Sequence, residues 1–201
     1  SDCFALVWIA RDKKLYGLNA SGVAPMALSA EKVRAMGYAE MPKTGWLPTM
    51  VPGAPAGWAA LNRRFGTRPL AELFAPAVSY AEAGYPVPVN VARLWERDSR
   101  RIAKVMAENA APHEYWWRSF MKPDGTPYRA GEVFRFPDYA ATMRSLAATG
   151  CDSYYRGELM EKIVAFSRAT GGWFCEEDFR NYKPEWVEPI TQDYRGYPVC
   201  E

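Results

Sequence analysis

The run Phe4-Ala5-Leu6-Val7-Trp8-Ile9-Ala10 is the feature that most limits what this chain can become. An unbroken apolar stretch of that length, rich in aromatic and β-branched residues, fits a strand covered on both faces. A polar turn, Arg11-Asp12-Lys13-Lys14, follows, and Leu15-Tyr16-Gly17-Leu18 resumes an apolar strand. Two such runs around a short charged turn read as a β-hairpin. A hairpin cannot cover both of its own faces, so other segments must do it. The second strand runs into Asn19-Ala20-Ser21-Gly22 and then Ala24-Pro25. Small polar residues at the end of a buried strand can line a pocket, because they supply donors and acceptors without filling it. They are also the ordinary residues of turns, and both readings stay open here.

Most of the remaining chain reads as helix. Ser29 is placed to cap a short helix from Ala30 to Met36, ended by Gly37. Tyr38 to Pro55 carries Pro42, Gly45, Pro48, Pro52 and Gly53 and reads as a loop. Ala56 to Phe65 has Trp58, Leu61 and Phe65 at helical spacing, and Gly57 in its first turn leaves room for another backbone. Pro69 suits the first turn of the next helix, whose apolar positions Leu70, Leu73, Phe74, Ala77, Val78 and Ala81 follow the 3.6 period until Gly84. Asn90 to Ala107 is expected to turn Leu94, Ile102, Val105 and Met106 inward and to expose Arg93, Glu96, Arg97, Arg100, Arg101 and Lys104. Asn109 to Phe136 is loop-rich, with a strong turn at Pro123-Asp124-Gly125. Pro137-Asp138 opens a helix through Tyr139, Met143, Leu146 and Ala147, closed by Gly150. Glu158 to Thr170 forms another, with Leu159, Ile163, Val164 and Phe166 inward, and Glu176 to Tyr182 a short one with an acidic start. Val187 to Cys200 reads as two strands around Arg195-Gly196. The expected class is therefore α+β, mainly helices with strand pairs at both ends of the chain. Those strands are expected to enter a sheet completed by residues outside this sequence.

The formal net charge is +2, from 25 basic and 23 acidic residues that are interspersed, which disfavours nucleic acid and anionic membrane surfaces as partners. No run approaches the roughly 18 to 20 apolar residues of a membrane span. Eight tryptophans and 14% aromatic residues point to large apolar surfaces that other chain segments bury. Cys3, Cys151, Cys175 and Cys200 lack metal-site spacing and read as small hydrophobes. The one histidine, His113, has no activated nucleophile near it in sequence. Glu176, Glu177 and Asp178 are neighbours that do not face one another on a helix, so they read as a first turn and not as an acid/base pair. Gly171-Gly172 has no following Lys-Ser or Lys-Thr and reads as a helix stop. No active site is visible in these residues.

An ordered set of stretches resembles the gamma-glutamyltransferase (gamma-glutamyltranspeptidase) family. It comprises the opening hairpin, Ala24-Pro25, Val51-Pro52-Gly53-Ala54-Pro55-Ala56-Gly57-Trp58, and Phe65-Gly66-Thr67-Arg68-Pro69-Leu70 with the helix that follows. It continues with Tyr80 to Val87, Tyr154-Tyr155-Arg156-Gly157-Glu158, Gly171-Gly172, Glu176-Asp178 with Tyr182, and Glu188-Pro189-Ile190 leading to Tyr194-Arg195-Gly196-Tyr197. Asn109 to Phe136 matches least. The resemblance implies an N-terminal-nucleophile hydrolase with an αββα sandwich, in which residues 1–201 form part of the large subunit, incomplete at both ends. It implies a precursor that cuts itself before a threonine outside this chain, and a small subunit from the same precursor as partner. The new terminal threonine attacks a γ-glutamyl amide and its free amine takes the hydroxyl proton. The acyl-enzyme is then released to water or to an amino acid. An amine that titrates near neutrality suits that role, and no cofactor is needed.

One departure bears on substrate. Glutathione-acting members carry an arginine before Ala-Pro that binds the substrate α-carboxylate; its place here falls on Ser21, and a second arginine position found in other members falls on Val23. A bidentate charged contact is thus absent from this segment, and Ser21 offers at most one neutral hydrogen bond. Asn19, Ser21 and Gly22 are the candidate pocket-lining residues. Another amide or acyl substrate is expected in place of glutathione. A non-catalytic relative that keeps the fold as a binding protein is the alternative. A free-standing helical binding domain is disfavoured, because two apolar strand pairs would keep open edges.

Overall fold

The computed structural model describes residues 2–201. In chain order the elements are β1 (Cys3–Ile9), β2 (Lys14–Ala20), α1 (Ala30–Ala35), α2 (Ala54–Phe65), α3 (Leu70–Ala83) and β3 (Tyr85–Pro86). There follow α4 (Val89–Glu108), α5 (Glu114–Phe120), β4 (Val133–Phe134), α6 (Pro137–Thr149), α7 (Ser153–Arg156), α8 (Glu158–Ala169) and α9 (Glu176–Arg180). The chain closes with β5 (Glu185–Val187), β6 (Thr191–Tyr194) and β7 (Tyr197–Cys200).

The hairpin is antiparallel, with Cys3 opposite Ala20 and Ile9 opposite Lys14, and it turns at Lys13, whose φ is 46°. Its two faces have different fates. Ala20 and Leu18 face inward and are buried, and α2 packs beneath them. Gly57 of α2 sits so close to the sheet that a Cβ there would meet Ala20 Cβ and Cys3 Cβ, each at 2.9 Å. Phe65 closes the far end, with its ring 5.3 Å from Tyr16 and 5.5 Å from Trp186. On the outer face Phe4 is 68% exposed and Trp8 60%, with Leu6 between them. The expected burial of this hairpin on both faces is therefore met on one face only. Alternation along β1 puts every second large side chain on the bare side.

The sheet has a third strand that the C-terminal pattern did not announce. β5 pairs antiparallel with β2, Gly17 opposite Val187 and Asn19 opposite Glu185, giving the order β1-β2-β5. The expected pair around Arg195-Gly196 is β6 and β7, a separate hairpin with Tyr194 opposite Tyr197. Helix ends follow the expected chemistry. Ser29 Oγ accepts from Lys32 N at α1, a proline leads α2 and α6, and Gly150 takes a left-handed φ of 58° after α6.

Two buried clusters hold the helices. One joins Val51, Tyr155, Met160, Val164, Phe174, Phe179 and Tyr182; the other joins Ala59, Phe74, Met143, Leu146 and Cys151. A third grouping is aromatic: Trp95 lies 4.8 Å from Phe134, and Phe120 and Tyr128 pack on both. It forms from the loop-rich region, where α5 interrupts the expected loop. It also corrects the α4 reading, because Trp95 turns inward and Leu94 is half exposed. Adjacent apolar residues satisfy the helical period almost equally, and the larger ring reaches the aromatic group. In α6 Ala140 is fully buried while Tyr139 stacks on Phe136 near the surface.

Gly53 has ordinary helical dihedrals, yet a Cβ there would overlap the Ala20 carbonyl and the Tyr182 hydroxyl. Gly150 has a left-handed φ and open space around it. In the full-length protein Gly53→Ala should therefore cost about 1–3 kcal/mol, an overpacking cost. Gly150→Ala should cost about 1 kcal/mol, a backbone cost. Thermal melts of the two variants check this order, and a Gly53→Ala protein as stable as the parent would contradict it.

Candidate functional site

The end of β2 brings two of the expected residues into direct contact. Asn19 Oδ1 accepts from Ser21 N at 2.9 Å and from Ser21 Oγ at 2.8 Å. Because Ser21 N can only donate, the atom facing it is the amide oxygen, which leaves Asn19 Nδ2 as a donor pair directed elsewhere. Ser21 Oγ spends its proton on Asn19 and has lone pairs to offer. The pair is therefore uncharged, with one amide donor group and one hydroxyl acceptor.

Gly22 acts differently from a lining residue. It is buried, its N–H donates to Asp2 Oδ1 at 2.7 Å, and a Cβ would overlap the Val51 carbonyl. Its part is to let the Val51 backbone come close, and the next residue uses that approach: Val51 N donates to the Val23 carbonyl at 2.9 Å. Val23 itself is exposed.

Asn19 borders a cleft of about 800 Å³ on the bare face of the sheet. Phe4, Leu6, Val187, Ile190 and Cys200 line it, so it is mostly apolar, and Glu188 and Glu201 also line it. Two cations near the sheet, Lys14 of β2 and Arg64 of α2, are engaged elsewhere. Lys14 Nζ bonds Glu188 at 2.8 Å, and the Arg64 guanidinium lies 4.3 Å over Tyr16 and 4.2 Å over Trp186.

The candidates set aside on sequence grounds take structural positions. His113 stands at the N-terminus of α5. The three acidic neighbours diverge: Glu176 pairs with Arg180 at 2.6 Å, while Asp178 turns inward and caps α9 together with Cys175. Arg93 to Lys104 line the exposed side of α4, where Arg100 pairs with Glu96. The four cysteines are free, and burial pushes the Cys151 thiol up to about 11. Among the described residues, His, Cys, Asp and Glu do not gather in groups of three or more, and no helix is long and apolar enough to cross a membrane.

Residues that periodicity did not single out hold this segment from behind. Tyr182 Oη donates to the Ser21 carbonyl at 3.0 Å, Asp178 Oδ1 accepts from Met26 N at 2.7 Å, and Tyr155 Oη donates to the Pro52 carbonyl at 2.6 Å. Their only advance signal was membership of the stretches Tyr154 to Glu158 and Glu176 to Tyr182.

The family model for gamma-glutamyltranspeptidase matches residues 1–201. The chain belongs to that family. It is 46% identical to the cephalosporin acylase from Bacillus halodurans, whose crystal structure superposes with a TM-score of 0.93 over 100% of this chain and 37% of that one. It is 33% identical over 157 residues to a glutathione hydrolase proenzyme from a Pseudomonas species, and 34% identical over 149 residues to the Acylase ACY 1 proenzyme from another Pseudomonas strain. These matches take in 78% and 74% of this chain but 26% and 25% of the relatives, so the chain spans about a quarter of their length. The fold is the α+β, N-terminal-nucleophile hydrolase fold of this family, of which the 201 residues supply helices and strands.

Burial, with help from the charges of Asp2, Cys3 and Glu185, pushes the Tyr182 hydroxyl from 10 up to about 12. A folded-state value above the unfolded one means the folded protein keeps a proton that the unfolded chain releases. The stabilisation is complete below pH 10 and is lost as pH rises from 10 to about 12. Melting temperature should drop steeply across that window, and Tyr182→Phe should flatten the drop; an equally steep drop in the variant would contradict this.

Proposed function

We propose that residues 1–201 are part of the large subunit of a self-cleaving amidohydrolase or acyltransferase. Its threonine nucleophile and small subunit lie outside this chain. Its acyl site accepts groups other than a γ-glutamyl α-carboxylate. Three observations support the first part: family membership, the proenzyme names of the relatives, and the bare apolar sheet face, which is suited to packing against a second sheet. The observation that carries the second part is that Asn19, which borders a largely apolar cleft, is bonded to Ser21 in a segment, Asn19 to Val23, that carries no charged side chain.

A carboxylate bound at this segment would meet one amide donor group and the lone pairs of Ser21 Oγ, without a cation to offset its lost hydration. An acyl chain that is apolar or carries a neutral acceptor suits the cleft better. The names of two relatives point the same way, since one is a cephalosporin acylase and another an acylase. No cofactor enters the scheme. The threonine hydroxyl forms the ester, its amine moves the proton to the leaving amine, and water or an acceptor amine then cleaves the ester.

Ser21→Arg tests the reading on the full-length enzyme. A charge-assisted contact is worth about 1.5–3 kcal/mol, so KM for γ-glutamyl p-nitroanilide should fall by roughly 10- to 100-fold. An unchanged KM would place Ser21 away from the acyl group.

A further inference from the structure

We infer that Asp178 and Tyr182 are positioning residues: together they fix the backbone of Ser21–Met26 so that the side chains at 21 and 23 face the acyl site. The inference rests on the reading of that segment given above, but its structural half can be tested without it.

Asp178 is 3% exposed, so both carboxylate oxygens need partners. Oδ2 accepts from Cys175 N at 2.8 Å, which closes the cap of α9. Capping needs no more than that. Oδ1 instead leaves its own helix and accepts from Met26 N, 152 residues away in sequence. Four residues beyond Asp178, Tyr182 is equally buried and donates to the Ser21 carbonyl. Its ring stacks on Tyr155 with centroids 5.4 Å apart and planes 19° from parallel. Tyr155 is tied in turn to the Pro52 carbonyl and Ala56 N, so the stack is anchored to the start of α2.

The segment is thus held at Ser21 O by Tyr182, at Gly22 N by Asp2, at Val23 O by Val51 and at Met26 N by Asp178. Every one of these bonds is made to the main chain of the segment. The Val23 side chain takes no part, and Ser21 Oγ bonds only Asn19. A wall held by its backbone can change its side chains without moving. Positions 21 and 23 are therefore free to alter acyl preference, while Asp178 and Tyr182 keep any such side chain on target.

The test uses full-length protein carrying Asp178→Asn or Tyr182→Phe, with Glu176→Gln on the same helix as control. Tyr182→Phe keeps the ring stack and removes a single bond, so it serves if Asp178→Asn does not fold. Hydrogen exchange should quicken by about tenfold in peptides covering 20–26, with α3 and α6 unchanged. KM for γ-glutamyl and butyryl p-nitroanilides should rise about five- to tenfold for one lost hydrogen bond, with kcat within about threefold. Glu176→Gln should change neither. Unchanged exchange at 20–26 would overturn the proposal. So would quickening spread over the whole protein in step with a lower melting temperature, or quickening at 20–26 with KM unmoved. If the parent cleaves neither anilide, the acyl-site reading fails, and exchange alone decides whether these residues hold the segment.

Discussion

The approach of two backbones sets the rest of the structure: Ala20 to Val23 at the end of β2 lies against Val51 to Gly57 at the start of α2. Side chains are nearly excluded from this contact. Gly22, Gly53 and Gly57 each stand where a Cβ would strike the opposing segment. Close packing makes such sites sensitive to even one added methyl group, so the absence of side chains here sets how near sheet and helix come. Everything that bears on the site follows from that spacing. Val51 reaches the Val23 carbonyl, and Tyr182 reaches the Ser21 carbonyl past Gly53.

The two faces of the sheet then divide the labour. The inner face is closed by α2 and by aromatic contacts among Tyr16, Phe65 and Trp186. The outer face presents Phe4, Leu6 and Trp8 beside Val187 and Ile190. A contiguous apolar surface of that kind on a sheet suits packing against a further segment, as proposed above. It adjoins the same strand end that carries Asn19 and Ser21, so whatever covers it would stand next to the proposed acyl site.

Much of this was legible in the residues, and the limits have physical causes. The hairpin showed because its apolar runs are long and its turn charged. Ser29, the helix-opening prolines and Gly150 showed because capping chemistry is local. Two-sided burial of β1 did not hold in this chain, since a run apolar at every position says nothing about what covers each face. β5 was missed because Glu185-Trp186-Val187 is too short to show a period; only its pairing with β2, across more than half the chain, makes it a strand. Asn19 and Ser21 could be named as candidates from their type and place. Asp178 and Tyr182 could not be assigned their hold on that segment, because partners 152 and 161 residues apart leave no trace in periodicity. Gly22 was legible as special but for another reason than the one it serves here.

A chain with the proposed function belongs to a precursor that matures into two polypeptides around a terminal threonine. Intact mass and N-terminal sequencing of the purified full-length protein test it most directly. Two fragments that stay associated, the second beginning with threonine, are the predicted result. A single uncut chain under conditions where the protein is folded would contradict it and favour a relative that keeps the fold without the chemistry.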